Sequence, residues 1–439
     1  MSTVSSAGTR SFPRVSVKAT RQATVIAFLA WLLAVYDYIL FGTLLPEIGD
    51  HFGWSEATAS LVSTLVSVGT AIVALAVGPI VDRIGRRRGM ILTVSGTALA
   101  SAASAATPGA GYLVGVRAFG GLGLSEQAVN ATYLNEIYAV TEDEKIKKRR
   151  GLVYSAVQGG WPLGVLLAAA FVAIFLPLVG WRGCFLLAVF PAVVIALARR
   201  GLKESPQFQL ELQMRELRKQ GRADEAAELA REYGVEEQPS APLLSIFKGS
   251  ALRNTLVLGF AWLVNWFGIQ VFAVLGTTVL TEGKQVSFTG SLIMLIVINA
   301  IGYLGYLFHG WIGDRFGRRN VIAVGWLISG VLFALTLTVA SGTVAVVTLY
   351  SLGMFFLIGP YAALLFYMGE CYDTQCRATG TAFLNALSQP GAILAGVITT
   401  AMLASGSNWS SAALIVGAVG TFVSGLVMFA ARKVQTLQG

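Results

Sequence analysis

Gly78-Pro-Ile-Val-Asp82-Arg83-Ile-Gly85-Arg86-Arg87 and Gly310-Trp-Ile-Gly-Asp314-Arg315-Phe-Gly317-Arg318-Arg319 are two copies of one turn. Every matched position is shifted by 232 residues, and each copy lies between long apolar runs. A second pair follows them. Glu136 precedes Arg150-Gly151 and Glu370 precedes Arg377, with the glutamates shifted by 234 and the arginines by 227. The first half therefore carries a seven-residue insertion in its acidic-basic loop, 141–150. The chain reads as a duplicated unit, the organisation a carrier needs if one half is to rock against the other around a central site.

Composition sets the solvent of that unit. Of 439 residues, 55% are hydrophobic and 13% charged, where an ordinary soluble domain has roughly 25% charged. The run Ala23 to Leu45 carries one charge, Asp37, and the stretch Val321 to Phe356 carries none. Runs of this length pass the ~18-residue threshold for a membrane span. Charges, Pro and Gly bound twelve of them: 23–45, 57–81, 89–107, 110–133, 151–178, 181–200, 254–280, 288–312, 321–341, 343–368, 378–403 and 409–431. The first run is too long for a signal peptide and lacks a small-residue cleavage site, so it reads as an uncleaved span. The expected fold is an all-α membrane protein, twelve helices in two pseudo-symmetric bundles. Its parts are an N-tail (1–22), a first six-helix bundle (23–200), a linker (201–253), a second bundle (254–431) and a C-tail (432–439).

Placing both termini in the cytoplasm puts 29 of the 32 Lys and Arg residues on that side, with only Arg182 and Lys284 outside and Arg117 within a span. Net charge +9 is thus an orientation signal for a multi-pass bacterial inner-membrane protein. It is not a nucleic-acid footprint. In the linker, Ser205-Pro206 has the form of a helix cap with Pro at the first helical position. Leu210, Leu217 and Leu229 among mixed charges predict amphipathic helices on the cytoplasmic face. The three cysteines (Cys184, Cys371, Cys376) lack metal-ligand spacing and read as inert thiols. His51 and His309 read as structural. No metal or cofactor is expected; the energy source is the proton gradient, and the carrier is expected to be a monomer.

With its repeated loop, the chain resembles the major facilitator superfamily along essentially its whole length. Particular stretches are similar to the metabolite, aromatic-acid and sialate proton symporters. These are Trp31-Leu-Leu-Ala-Val-Tyr-Asp37 in the first span, Arg117-x-x-Gly120-x-x-Gly123-x-x-Glu126 in the fourth, Gly160-Trp161-Pro162-Leu163-Gly164, Gly180-Trp181-Arg182, and Glu204-Ser205-Pro206 after the sixth. One departure is Ala34, where such symporters often carry a second Asp. The antiporter pattern Gly-Pro-x-x-Gly-Gly is missing from span five, which disfavours drug efflux.

An ionisable group inside a span is costly and by default functional. Three are placed deep: Asp37, Arg117 and Glu126. At ~1.5 Å per residue, Asp37 lies ~21 Å from the cytoplasmic end, Arg117 ~24 Å and Glu126 ~10 Å. Asp37 and Arg117 can pair, and a substrate anion reaching Arg117 would loosen that pairing and favour proton uptake. Glu126 is the next proton stop or the coupling acid itself; a permanent ion pair fixing helix packing is the structural alternative for either site. Substrate contacts are expected from Arg117, Tyr36, Tyr38, Gln158, Trp161, Asn265, Gln270, Asn299, Asn385 and Gln389, while Trp266, Met294 and Phe355 read as packing. Asp82, Arg83, Arg86, Glu136, Arg150, Asp314, Arg315, Arg318, Glu370 and Arg377 are gating candidates. The expected function is proton-coupled import of a small carboxylate, with a sugar or polyol porter as the alternative. A membrane-embedded enzyme is disfavoured because no Gly-x-Ser-x-Gly, His-Glu-x-x-His or His/Cys cluster occurs. The linker is also short for a sensor's signalling domain.

Overall fold

A computed structural model describes residues 11–148, 150–234, 243–372 and 377–433. The side chains of the expected gating residues Asp82, Arg150, Asp314 and Arg377, and the whole of Cys376, lie outside what is described. The described residues form helices, with a single bridge between Val15 and Thr141 outside them.

The chain runs through α1 (Val17–Phe52), α2 (Glu56–Ile84), α3 (Arg86–Ala105), α4 (Ala110–Ala118), α5 (Gly121–Ala139), α6 (Glu144–Lys148), α7 (Arg150–Gln158) and α8 (Gly160–Arg200). Two short helices follow, α9 (Pro206–Lys219) and α10 (Ala223–Glu232). The rest comprises α11 (Gly249–Gly268), α12 (Gly276–Thr278), α13 (Phe288–Phe316), α14 (Arg318–Thr338), α15 (Thr343–Ile358), α16 (Tyr361–Glu370), α17 (Arg377–Ala386), α18 (Ser388–Ala404), α19 (Trp409–Ala412) and α20 (Gly420–Met428).

Among the described residues nine helical stretches are long and apolar enough to cross a membrane. The remaining expected crossings fall where one or the other condition fails. The third run is α3, rich in Ala, Ser, Thr and Gly. The fourth breaks between α4 and α5 and carries Arg117 and Glu126. The fifth and sixth, expected as separate runs, are α7 followed by one α8 bent at Gly180 (φ 67, ψ 174), so their expected loop is a single residue. The first helix also outruns its expected 23–45. Ser16 Oγ caps it by accepting from Ala19 N, and Gly53 ends it in the left-handed region.

Packing follows the small residues. α1 lies along α5 and α8, α3 packs on the same two, and α2 lies on α4 and α5. Later in the chain α13 and α14 pack on α15, and α11 lies between α18 and α20. The two sets meet where α2 touches α18, α8 touches α13, and α1 touches the π-helical turn 269–274 and α12. There Gly42 allows an approach that no other residue would: a Cβ on it would sit 2.3 Å from the Val274 carbonyl oxygen.

The linker helices match expectation. Ser205 caps α9, accepting from Phe208 N, with Pro206 first in the helix. Leu210 and Met214 of α9 are buried against Ala226 and Ala230 of α10, with Leu217, Leu229 and Phe12 alongside.

The two repeated turns differ in their surroundings. Gly85 (φ 102) and Gly317 (φ 83) both open a helix from a backbone conformation that strains an L-residue. At Gly85 the linker closes over the turn: the Glu204 carboxylate accepts from Arg87 N at 3.1 and 3.2 Å, and Phe208 packs beside it. That carboxylate occupies the positive end of α3. At Gly317 a Cβ would meet open space. Gly317→Ala is therefore expected to cost only the conformational strain, about 1–3 kcal/mol. Gly85→Ala should cost more, because its Cβ would lie 2.5 Å from Glu204 and 2.7 Å from Phe208. Thermal unfolding of the purified variants checks the order; equal losses would show that the linker does not brace the first turn.

Candidate functional site

Asp37 and Arg117 come together as their estimated heights suggested. Arg117 is 2% and Asp37 6% exposed. Arg117 Nη2 donates to Asp37 Oδ2 at 3.2 Å and to the Asp37 backbone oxygen at 2.8 Å, and Nη1 donates to Ser101 Oγ at 3.2 Å. Ser101 Oγ in turn donates to Asp37 Oδ1. The guanidinium also faces the rings of Phe41 and Phe185. Only its Nε has no acceptor. In this conformation Arg117 thus belongs to Asp37 and Ser101, and the pair is held by α1, α3 and α4.

The count of three deep ionisable groups is corrected to four. Arg199, read from sequence as a cytoplasmic base, is fully buried and forms an ion pair with Glu126, itself fully buried. Arg199 Nη1 donates to Glu126 Oε2 at 2.9 Å, and Nη2 to Asn130 Oδ1 at 3.2 Å and to Glu126 Oε1. Thr93 Oγ1 also donates to Glu126 Oε2, and Met90 supplies a backbone oxygen to Arg199. A basic residue ending an apolar run ordinarily marks a membrane boundary. Only the fold brings its side chain inward against Glu126, where each charge offsets the burial of the other.

A chain of aromatic rings spans the contact between the two sets of helices. Trp31 (α1) lies 6.0 Å from Trp161 (α8), Trp161 6.2 Å from Trp266 (α11), Trp266 6.0 Å from Trp262, and Trp262 5.0 Å from Tyr361 (α16), centroid to centroid. Tyr38 joins at Trp161, 6.4 Å away. The indole nitrogens of Trp31, Trp161, Trp262 and Trp266 are buried and have no protein acceptor among the described residues. Trp266, read as packing, stands at the centre of this column. Trp262 and Tyr361 were not singled out, since single aromatics in apolar runs carry no distinguishing pattern.

The other expected contact residues divide. Gln270 and Asn299 are buried with their side-chain oxygens unpartnered, and the Gln389 oxygen is likewise unpartnered. Gln270 Nε2 reaches Ser63 of α2 at 3.5 Å. Asn265 accepts from the Tyr361 hydroxyl and donates to Ser424 at 3.4 Å. Gln158 is committed to Gln127 and Tyr154. Tyr36 packs edge-on against Phe171, its hydroxyl without a partner. Asn385 is exposed and stands apart from these groups in hydrogen bonding, its carbonyl accepting from Ser388.

The gating candidates pair in a pattern the repeat did not predict. Glu136 and Glu370 meet the arginine that follows the glycine of each turn: Arg86 Nε lies 3.3 Å from Glu136, and Arg318 pairs with Glu370. In the first half Ser205 also donates to Glu136. Arg83 and Arg315 are exposed, the latter over Trp311 at 4.3 Å. His309 is buried with Nδ1 at 2.8 Å from the Gly305 oxygen, a structural placement.

Removing one member of the buried Glu126–Arg199 pair should cost about 3–5 kcal/mol, because the other charge is left buried and uncompensated. Arg199→Leu is expected to lower the melting temperature sharply, and adding Glu126→Gln should recover most of the loss. A double variant no more stable than Arg199→Leu alone would show that the two charges do not depend on each other.

Comparison with known proteins agrees with this architecture. The model of the Major Facilitator Superfamily matches residues 27–308. The chain is similar to the niacin transporter NiaP of Acinetobacter baylyi, 25% identical with 85% of each chain covered. It is similar to the 4-hydroxybenzoate transporter PcaK of Pseudomonas aeruginosa, 28% identical over 88% of this chain and 86% of that one. The gallate transporter of Pseudomonas putida is 28% identical over 87% and 85%. A multi-pass helical protein with duplicated basic turns and buried charge pairs, matched over more than half its length by that family's pattern, this chain belongs to the Major Facilitator Superfamily and is a membrane transporter, not an enzyme.

Proposed function

We propose that the protein imports a small aromatic carboxylate together with a proton, by alternating access between two six-helix halves that together cross the bilayer twelve times. The buried Asp37–Arg117 pair carries this reading. As an ion pair it is neutral; once Asp37 is protonated, Arg117 leaves one uncompensated positive charge in a low-dielectric site. An anion bound nearby offsets that charge. Proton and anion therefore favour each other's binding, and by linkage the preference is reciprocal.

The aromatic column supports the substrate class. Trp31 and Tyr38 are seven residues apart and share a face of α1, turned to Trp161. Asp37 adjoins Tyr38 in sequence and turns instead to α3 and α4. Ring and proton would thus act on two faces of one helix. Indole N–H groups without acceptors suit a carboxylate or hydroxyl, and the rings suit an aromatic body. Niacin, 4-hydroxybenzoate and gallate, the compounds in the relatives' names, are aromatic acids.

The basic turns would face the cytoplasm by the positive-inside bias. The two halves are joined at the opposite end, where Ser60 and Thr400 share a hydrogen bond of 2.8 Å and Gly42 meets Val274. This fits a conformation closed towards the outside.

Asp37→Asn in proteoliposomes should abolish accumulation driven by a pH gradient while leaving counterflow exchange measurable. Undiminished accumulation would overturn the assignment. Trp266→Leu should weaken competition by benzoate-type acids on the order of tenfold, the loss of ~1.4 kcal/mol of ring contact. Competition by cyclohexanecarboxylate should change little. Equal loss for both acids would reject the aromatic site.

A further inference from the structure

Asp37 and Glu126 open on the same internal cavity, between α1, α3, α5 and α8. Ala34, Ala98 and Ala192 leave it about 20 Å³, room for about one or two waters. Tyr36 opens on it too, its hydroxyl lacking a partner. The cavity lies within the first set of helices, on other neighbours than the tryptophan column.

One face of α3 carries a hydroxyl at every fourth residue, Thr93, Thr97 and Ser101, and Thr97 lines this space. Ser101 holds Asp37, Thr93 holds Glu126, and Thr97 stands between them on the cavity wall. All three are buried. Residues four apart stack on one helical face, so the ladder rises ~6 Å per step and ~12 Å in all. Thr97 Oγ1 donates to the Thr93 backbone oxygen at 2.8 Å, which leaves its lone pairs free to accept. The charged groups facing the ladder's ends are Arg117 from α4 and Arg199 from α8.

We infer that this hydroxyl ladder, completed by cavity water, carries the proton between Asp37 and Glu126 by a route separate from that of the substrate. The inference rests on the proton coupling proposed above. At each step the oxygen accepts one proton and releases another, so the hydroxyls and water are unchanged. The proton lost by the Asp37 carboxyl is gained by the Glu126 carboxylate, and both arginines keep their charge. Glu126 then serves as the second proton station as well as a packing partner of Arg199. Thr97 hydrogen-bonds neither carboxylate and is the relay step between them, reached from each side through water.

Two substitutions separate this route from a packing role. Thr97→Val removes the hydroxyl at nearly constant volume, and Ala192→Val intrudes on the water space without touching a charge. In proteoliposomes loaded with benzoate, each should slow substrate-induced proton uptake and gradient-driven accumulation about tenfold, the rate equivalent of ~1.4 kcal/mol added to the barrier. Counterflow exchange, which needs no net proton movement, should stay near the wild-type rate. Thr97→Ser should restore coupling. If both variants accumulate substrate like the wild type, or lose counterflow in step with accumulation, the ladder is not the route. Wild-type protein that moves no protons with substrate would instead defeat the coupling proposal itself, so the two failures are told apart.

Discussion

Opposite charges buried together in a bilayer-spanning bundle govern the rest of this structure. Asp37 with Arg117, and Glu126 with Arg199, each bury a carboxylate and a guanidinium together, so that each charge offsets the cost of burying the other. Satisfying them recruits neighbours. Ser101 and Thr93 of α3 supply hydroxyls, Asn130 supplies an amide, and the Asp37 and Met90 backbones supply carbonyls. Helices α1, α3, α4, α5 and α8 are thereby fixed to one another by polar contacts that lipid cannot replace. In a membrane, where apolar packing discriminates poorly between partners, such contacts set which helices are neighbours.

These charges are confined to the first half. Among the described residues the second half has no counterpart buried carboxylate–guanidinium pair; it offers amides and rings, with Gln270, Asn299 and Gln389 presenting unpartnered oxygens and Trp262 and Trp266 presenting indole donors. The two parts of the chain thus differ in polar chemistry: the residues before the linker hold the buried carboxylates, and those after it supply neutral hydrogen-bonding groups and part of the aromatic column. The column from Trp31 to Tyr361 is where the two meet.

The same asymmetry marks the repeated turns. Arg86–Glu136 and Arg318–Glu370 are equivalent pairs in the two halves. Around the first, Glu204 caps α3, Ser205 donates to Glu136 and Phe208 lies under Arg86 at 4.9 Å. The linker is thus bound to the first half through the very motif that repeats. Around the second, Arg319 reaches the backbone oxygens of Phe429 and Ala431, with no acidic cap among the described residues.

By itself the sequence determined the membrane class, the duplicated turns, the linker helices and that Asp37, Arg117 and Glu126 lie within apolar runs. Each is a local property: apolar length, a motif at constant offset, a cap-Pro pair, or position within an apolar run. Tertiary structure alone decided that Arg199 pairs with Glu126, that Arg86 pairs with Glu136, and that Trp31, Trp161, Trp262, Trp266 and Tyr361 form one column. It also decided that Thr93 and Ser101 turn towards the two carboxylates, and Thr97 towards the cavity between them, rather than towards lipid. The reason is rotational. Hydropathy places a residue along a helix, whereas the direction its side chain faces is set by which neighbours can hydrogen-bond or pack against it, and those neighbours come from distant parts of the chain.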